Sequence, residues 1–118
     1  MTRAWRTDPQ YRHLFDQLDE PVVVADENAR YVDANAAACE LLGYSLEELL
    51  QLAVADVVAQ PPRWTADEYA RFLRDRRWEG VIELRRKDGS TIEMLAQARI
   101  LALPDGQQAH LSVLRKPV

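Results

Sequence analysis

Two Asp-Gly steps, Asp88-Gly89 and Asp105-Gly106, punctuate the last third of the chain. They separate three runs with strand character, residues 78–87, 90–103 and 107–115. Asp-Gly supplies the left-handed backbone that a tight hairpin needs. Strands joined by such turns are antiparallel, so the C-terminal part of the fold is constrained to a meander. Along the middle run Ile92, Met94, Ala96, Ala98 and Ile100 alternate with Thr91, Glu93, Leu95, Gln97 and Arg99. Alternate residues face opposite sides of a sheet. The first set is the expected core face. Its middle is small, so the helices above Ala96 and Ala98 either approach closely or leave a cavity.

The N-terminal half carries a second hairpin. PVVVAD and RYVDAN flank Asp26-Glu27-Asn28-Ala29, a turn favoured by Asp and Asn. Before it, Asp8-Pro9 reads as a helix start, with Tyr11, Leu14, Phe15 and Leu18 spaced as one apolar stripe. That stripe either covers the domain's own sheet or forms a dimer helix. Pro21 ends it. Asn35 caps a short helix that Gly43 closes, and Ser45 with Glu48 matches a capping box. The apolar segment from Leu50 to Gln60 reads as short helix, broken by Pro61-Pro62. Thr65 opens a further helix with Tyr69, Phe72, Leu73 and Arg76 as its inner stripe, and with Arg71, Arg74, Asp75 and Arg77 on a solvated face. Strands at both ends with helices between give an α+β fold: one antiparallel sheet with helices on one face.

At 118 residues and 47% hydrophobic, the chain is long enough to bury one core. Its net charge of -4 argues against general nucleic-acid binding. One cysteine, Cys39, cannot form an internal disulfide, and there is no zinc-type cluster. No apolar run approaches a membrane span, and the charged N-terminus lacks the apolar core of a signal peptide. The expectation is a cytoplasmic protein with no direct nucleic-acid or membrane partner.

Several stretches, taken in order, resemble the PAS domain family. PVVVADENARYVDAN is similar to its first hairpin, ending in the family's Asn, here Asn35. NAAACELLGYSLEEL resembles its helix pair, and WEGVIELRRKDGSTIEM its Gly-strand, Lys-Asp-Gly turn and following strand. The resemblance covers roughly residues 14–115. It implies a five-stranded antiparallel sheet with an interior pocket, residues 21–118, preceded by an amphipathic flanking helix in residues 1–20. It also implies a sensory module of signal transduction, including two-component systems and transcription regulation, whose output domain lies outside this chain. That output would be a histidine kinase, a cyclic-di-nucleotide enzyme or a transcription regulator, in cis or in trans. The alternative is a protein–protein interaction or dimerisation module with a filled core and no ligand.

Within that frame, the candidate pocket residues are Val24, Leu41, Leu42, Val57, Phe72, Ile82, Met94, Ala96, Ala98 and Val113. A homodimer is the expected assembly, with Tyr11, Leu14, Phe15, Leu18 and Leu95 as candidate interface. The covalent-flavin photosensors of the family carry a Cys on the helix before the long helix, where this chain reads LAVADVVAQPP. The photoactive-yellow-protein type fails likewise. Haem-binding members use a His, most often on the long helix; TADEYARFLRDRR has none, and the two histidines are His13 and His110. Covalent flavin and haem are therefore disfavoured. Non-covalent flavin or a small organic ligand is the open alternative, with Trp64 and Trp78 as rings able to stack.

No catalytic constellation is evident: no P-loop, no glycine-rich phosphate cradle, no HExxH. Ser45, Ser90 and Glu47-Glu48 are explained as cap and turn residues. The chain's end, Arg115 to Val118, has Lys116 where such domains often place an Asp before their output. The signal route is thus either an altered exit or the N-terminal helix. On a helical wheel Ala37, Ala38, Leu41 and Leu42 share one side, with Cys39 almost opposite. Cys39 is expected to be a peripheral thiol.

Overall fold

A computed structural model describes residues 4–60 and 65–117. The Pro61-Pro62 break and Trp64 lie outside the described residues. Helix α1 (Pro9–Gln17) is followed by strands β1 (Val22–Asp26) and β2 (Tyr31–Ala34). Helices α2 (Ala36–Leu42), α3 (Leu46–Leu49) and α4 (Val54–Val57) lead into a short strand, β3 (Val58–Gln60). Then come α5 (Ala66–Asp75) and the meander β4 (Arg77–Arg85), β5 (Thr91–Ala102) and β6 (Gln108–Arg115).

The strands form one antiparallel sheet in the order β2-β1-β6-β5-β4-β3. Gly89 and Gly106 sit at φ of 89° and 88° in the two Asp-Gly turns, the left-handed region those turns require. The sheet has six strands, not five. The sixth is β3, inside the segment read as short helix. That reading is half right, since α4 occupies Val54–Val57. An apolar run this short has no periodicity that separates strand from helix; pairing to β4 decides it.

Both faces of the sheet are covered in part. On the concave face Val23, Ala25, Tyr31, Leu84, Met94, Ala96 and Leu114 pack with Ala38 and Leu42 of α2, Leu49 of α3 and Val57 of α4. On the other face Val22, Val24, Val32, Leu103 and Ala109 pack under Phe15 of α1. The PVVVA run has no polar alternation because β1 is buried on both sides.

The helix caps read from sequence are present. Asp8 accepts hydrogen bonds from the Gln10 and Tyr11 backbone, Ser45 forms a reciprocal capping box with Glu48, and Gly43 closes α2 at φ 81°; a second box, Thr65 with Glu68 at the start of α5, adds to those read from sequence. The inner stripe of α5 is narrower than its spacing predicts. Phe72 is buried, but Tyr69 and Leu73 are 52% and 49% exposed. Phe72 is the one buried residue of α5.

Candidate functional site

Between the concave face and α4 lies a cavity of about 210 Å³. Val23 and Ala25 of β1, Tyr31 of β2, Ile82 and Leu84 of β4, and His110, Ser112 and Leu114 of β6 form its sheet wall. Leu42, Val54, Val57 and Val58 close it from the helical side, and Asp26, Glu27 and Ala29 of the first turn stand at its edge. A second hollow of about 540 Å³ shares Ala29, Val54, Val58, Ile82 and Ser112 with it and adds Ala55, Trp78 and Ala96.

Small residues make this space, and one aromatic limits it. Gly80 pairs with Ala96, and Trp78 with Ala98. The Trp78 indole lies over Gly80, where a Cβ would sit 2.5 Å from its Cζ2. Of the two outcomes foreseen for the small middle of β5, a hollow is the one present beside Ala96, and it is the Trp78 ring of the neighbouring strand, not a helix, that fills part of the gap.

Three polar groups punctuate the apolar wall. Among the described residues the Tyr31 hydroxyl, the Ser112 hydroxyl and the His110 imidazole have no hydrogen-bond partner. Burial lowers the pKa of His110 below its ordinary 6.5, so it is neutral at pH 7. Its ring meets Phe72 edge-on at 5.6 Å. Tyr31 is 5% exposed, and burial, followed by the charge of Asp56, raises its pKa. Neutral groups that donate and accept, set in an apolar wall, suit a small ligand with one polar end.

The sequence-derived pocket set divides. Leu42, Val57 and Ile82 line the cavity, and Ala96 with Ile82 lines the second hollow. Met94 is buried in the same core without lining either. Phe72 reaches the site through His110. Leu41 borders an open surface groove with Gly43, Arg86 and Lys87. Ala98, paired with Trp78 on one side and Ser112 on the other, is half-buried and lines neither hollow. Val24 and Val113 are misplaced: both point to the opposite face, under α1, because their neighbours Val23 and Leu114 take the inward positions. Sequence reasoning missed Val23, Ala25, Tyr31, His110, Ser112 and Leu114. For β6 a signal existed: counting alternate residues back from Leu114 selects Ser112 and His110.

The proposed interface stripe also divides. Phe15 is 8% exposed and Tyr11 stacks on it at 5.4 Å, so both serve the domain's own sheet. Leu14 and Leu18 are 68% and 49% exposed. Leu95 is half-buried on the face away from the cavity.

A polar clamp fixes α1. Asp33 is fully buried. It accepts from Arg12 Nη1 at 2.7 Å, from the Ala34 amide at 2.8 Å, and from the Tyr11 hydroxyl. Arg12 also donates to the Ala34 carbonyl at 3.0 Å and pairs with Asp16. Asn35, likewise fully buried, accepts from the Val22 amide at 2.9 Å and the Ala38 amide at 3.0 Å, and donates to the Glu20 carbonyl at 2.9 Å. It thereby ties the linker after α1, the start of β1 and the start of α2 into one joint. Arg115 at the end of β6 pairs with Glu20, and the Leu114 amide donates to the Pro21 carbonyl at 2.9 Å.

The sequence matches the family described as the PAS fold over residues 10–117. This chain belongs to the PAS family. Solved structures agree on the fold. A PAS domain from a two-component sensor histidine kinase is 15% identical, with a TM-score of 0.75 over 92% of this chain and 94% of that one. The PAS domain of an HTR-like protein from Haloarcula marismortui is 22% identical, with a TM-score of 0.74 over 98% and 95%. The PAS domain of nitrogen regulation protein NR(II) from Vibrio parahaemolyticus is 13% identical, with a TM-score of 0.75 over 93% and 100%. A comparison with curated proteins finds no match. In this PAS domain the family's Asn is Asn35, and its three bonds give that residue a physical role.

Cys39 is half-buried against the core, and burial, then the charge of Asp16, raises its pKa. The wheel had placed it opposite the packed side. A two-turn helix wedged between core and α1 has more than one buried flank. Cys39 lines neither the cavity nor the second hollow. Among the described residues no group of His, Cys, Asp or Glu is arranged to hold a metal ion, and no helix is long and apolar enough to cross a membrane.

Proposed function

We propose that this PAS domain is the sensory module of a cytoplasmic signalling protein, and that its cavity takes a small, mainly apolar ligand with one polar end. The observation that carries this is the apolar cavity walled by the sheet and α4, with His110, Ser112 and Tyr31 unpaired on its surface. Ligand occupancy presses on Leu42 of α2 and Leu114 of β6. Leu42 ends the helix that Asn35 caps, and Leu114 directly precedes Arg115, which pairs with Glu20. The output domain it governs is a histidine kinase, a cyclic-di-nucleotide enzyme or a transcription regulator, and the module itself does no catalysis. Covalent flavin and haem stay disfavoured on the residues already given; a non-covalent flavin belongs among the candidate ligands.

The test is an absorbance spectrum and native mass spectrum of purified protein, then a thermal-shift screen of small organic ligands. Ser112→Leu adds bulk to both hollows and should abolish the ligand shift while leaving the free protein folded. A colourless protein without retained ligand, for which no compound shifts the melting temperature, overturns the sensing reading. A second reading, dimerisation, is favoured by the exposed Leu14, Leu18 and Val81.

A further inference from the structure

The charge pattern of the cavity restricts its ligand more than its shape does. Among the described residues, no lysine or arginine lines the cavity or the hollow beside it. The charged residues at its edge, Asp26 and Glu27, are both acidic. The Asp26 carboxylate is taken up in part by its own turn, accepting from the Asn28 amide at 2.9 Å and the Arg30 amide at 3.1 Å. The polar groups of the wall are two hydroxyls and one imidazole that burial keeps neutral at pH 7. Strand pairing gathers them. Ala25 of β1 has Tyr31 as its partner on β2 and His110 as its partner on β6. Tyr31 and His110 thus stand about 10 Å apart, two strand spacings, with the Ala25 methyl between them. Ser112 lies on the same face of β6, about 7 Å from His110.

We propose that the cavity takes an uncharged ligand, an apolar body whose polar end is a hydroxyl seated among Tyr31, His110 and Ser112, and that it excludes anions. An anion drawn into this wall finds no cation and passes two carboxylates on the way in. An unpaired charge in an apolar site costs far more than a buried hydroxyl. A cation does no better inside, because the carboxylates stand at the solvent edge and not along the wall. A hydroxyl suits the three groups together, since it both donates and accepts. A carbonyl end only accepts, and leaves the bare nitrogen of the neutral imidazole without a donor. The volume of about 210 Å³ suits a body of one substituted ring, given that a dry cavity of about 150 Å³ holds benzene. The inference rests on the sensing reading and narrows it to one chemical class of ligand.

Isothermal titration at pH 7 with p-cresol, toluene, 4-methylbenzoate and 4-methylbenzylamine tests it. The four share one ring and differ in the end group. The cresol should bind about tenfold more tightly than toluene and about a hundredfold more tightly than the benzoate. The amine should also bind more weakly than the cresol. Tyr31→Phe with Ser112→Ala keeps the shape of the wall and removes both hydroxyls, so most of the cresol's advantage over toluene should disappear. Glu27→Lys, at an exposed turn position, replaces an edge carboxylate with an ammonium and should improve benzoate binding about two- to fivefold. A cooperative melt verifies that each variant folds, and the wild-type series needs no variant. Benzoate, amine or toluene binding as tightly as the cresol overturns the inference and leaves the sensing reading standing. If nothing in the series and nothing in the wider thermal-shift screen binds, the sensing reading falls and the inference with it. If only the wider screen yields a ligand, an uncharged hydroxyl compound upholds the inference and any other overturns it.

Discussion

Asn35→Ala tests the joint on which the signalling reading depends. Three bonds are lost. The Ala38 amide loses its helix cap, about 1 kcal/mol. The Val22 amide belongs to a residue 4% exposed, so water does not replace the lost oxygen; leaving it unpaired costs about 1–3 kcal/mol. The Glu20 carbonyl belongs to an exposed residue and recovers a bond from water. The sum is about 2–4 kcal/mol, a large share of the 5–15 kcal/mol typical of a domain. Urea unfolding followed by circular dichroism should show a lower midpoint with an unchanged slope. Asn35→Asp keeps the accepting oxygen for both amides but buries a charge and loses the bond to Glu20. It should also destabilise, most strongly at neutral pH, and recover as acid neutralises the carboxylate. A loss below about 1 kcal/mol for Asn35→Ala would refute the reasoning; it would mean that the joint is held by packing rather than by these bonds.

Other predictions follow from single contacts. Gly80→Ala places a methyl 2.5 Å from the Trp78 ring, so the indole must move; a loss of about 1–3 kcal/mol in the same unfolding assay is expected. His110 has a lowered pKa in the folded state, so its contribution is complete above the unfolded value of 6.5 and is lost as pH falls through the folded value. The melting-temperature difference between wild type and His110→Gln should therefore shift against the wild type from pH 7 to pH 5, and a constant difference would refute the assignment. Cys39 should react with iodoacetamide more slowly than a free thiol at pH 8, since burial raises its pKa. A Cys39→Ser protein should bind any cavity ligand as the wild type does.

The meander was legible because Asp-Gly turns dictate backbone sign and strict alternation along β5 dictates faces. The helix caps at Asp8, Asn35 and Ser45 were legible because each is local chemistry, acting within three residues of itself. Facing in β1 was not legible. Val22, Val23 and Val24 are equally apolar, and only the presence of α1 on one face and of α2 and α3 on the other says which is which. The same ambiguity placed Val113 in the cavity instead of Ser112. The Arg12–Asp33 clamp was hidden for another reason. Its partners are 21 residues apart, and nothing in a charged residue inside YVDA announces that it is fully buried. Strand β3 was decided by a neighbour, not by its own residues.

The Glu20–Arg115 pair has a mechanical consequence. The chain enters β1 and leaves β6 at the same end of one antiparallel ladder, with Val22 opposite Val113. A pull applied between the two exits therefore loads the ladder as a zipper and not in shear. Bonds break one after another, beginning with the surface ion pair and the Leu114–Pro21 bond, before the cavity wall at Ser112 and His110 is reached. Tension between neighbouring domains would open this domain along its softest direction, and the first residues to feel it are the ones tied to Asn35.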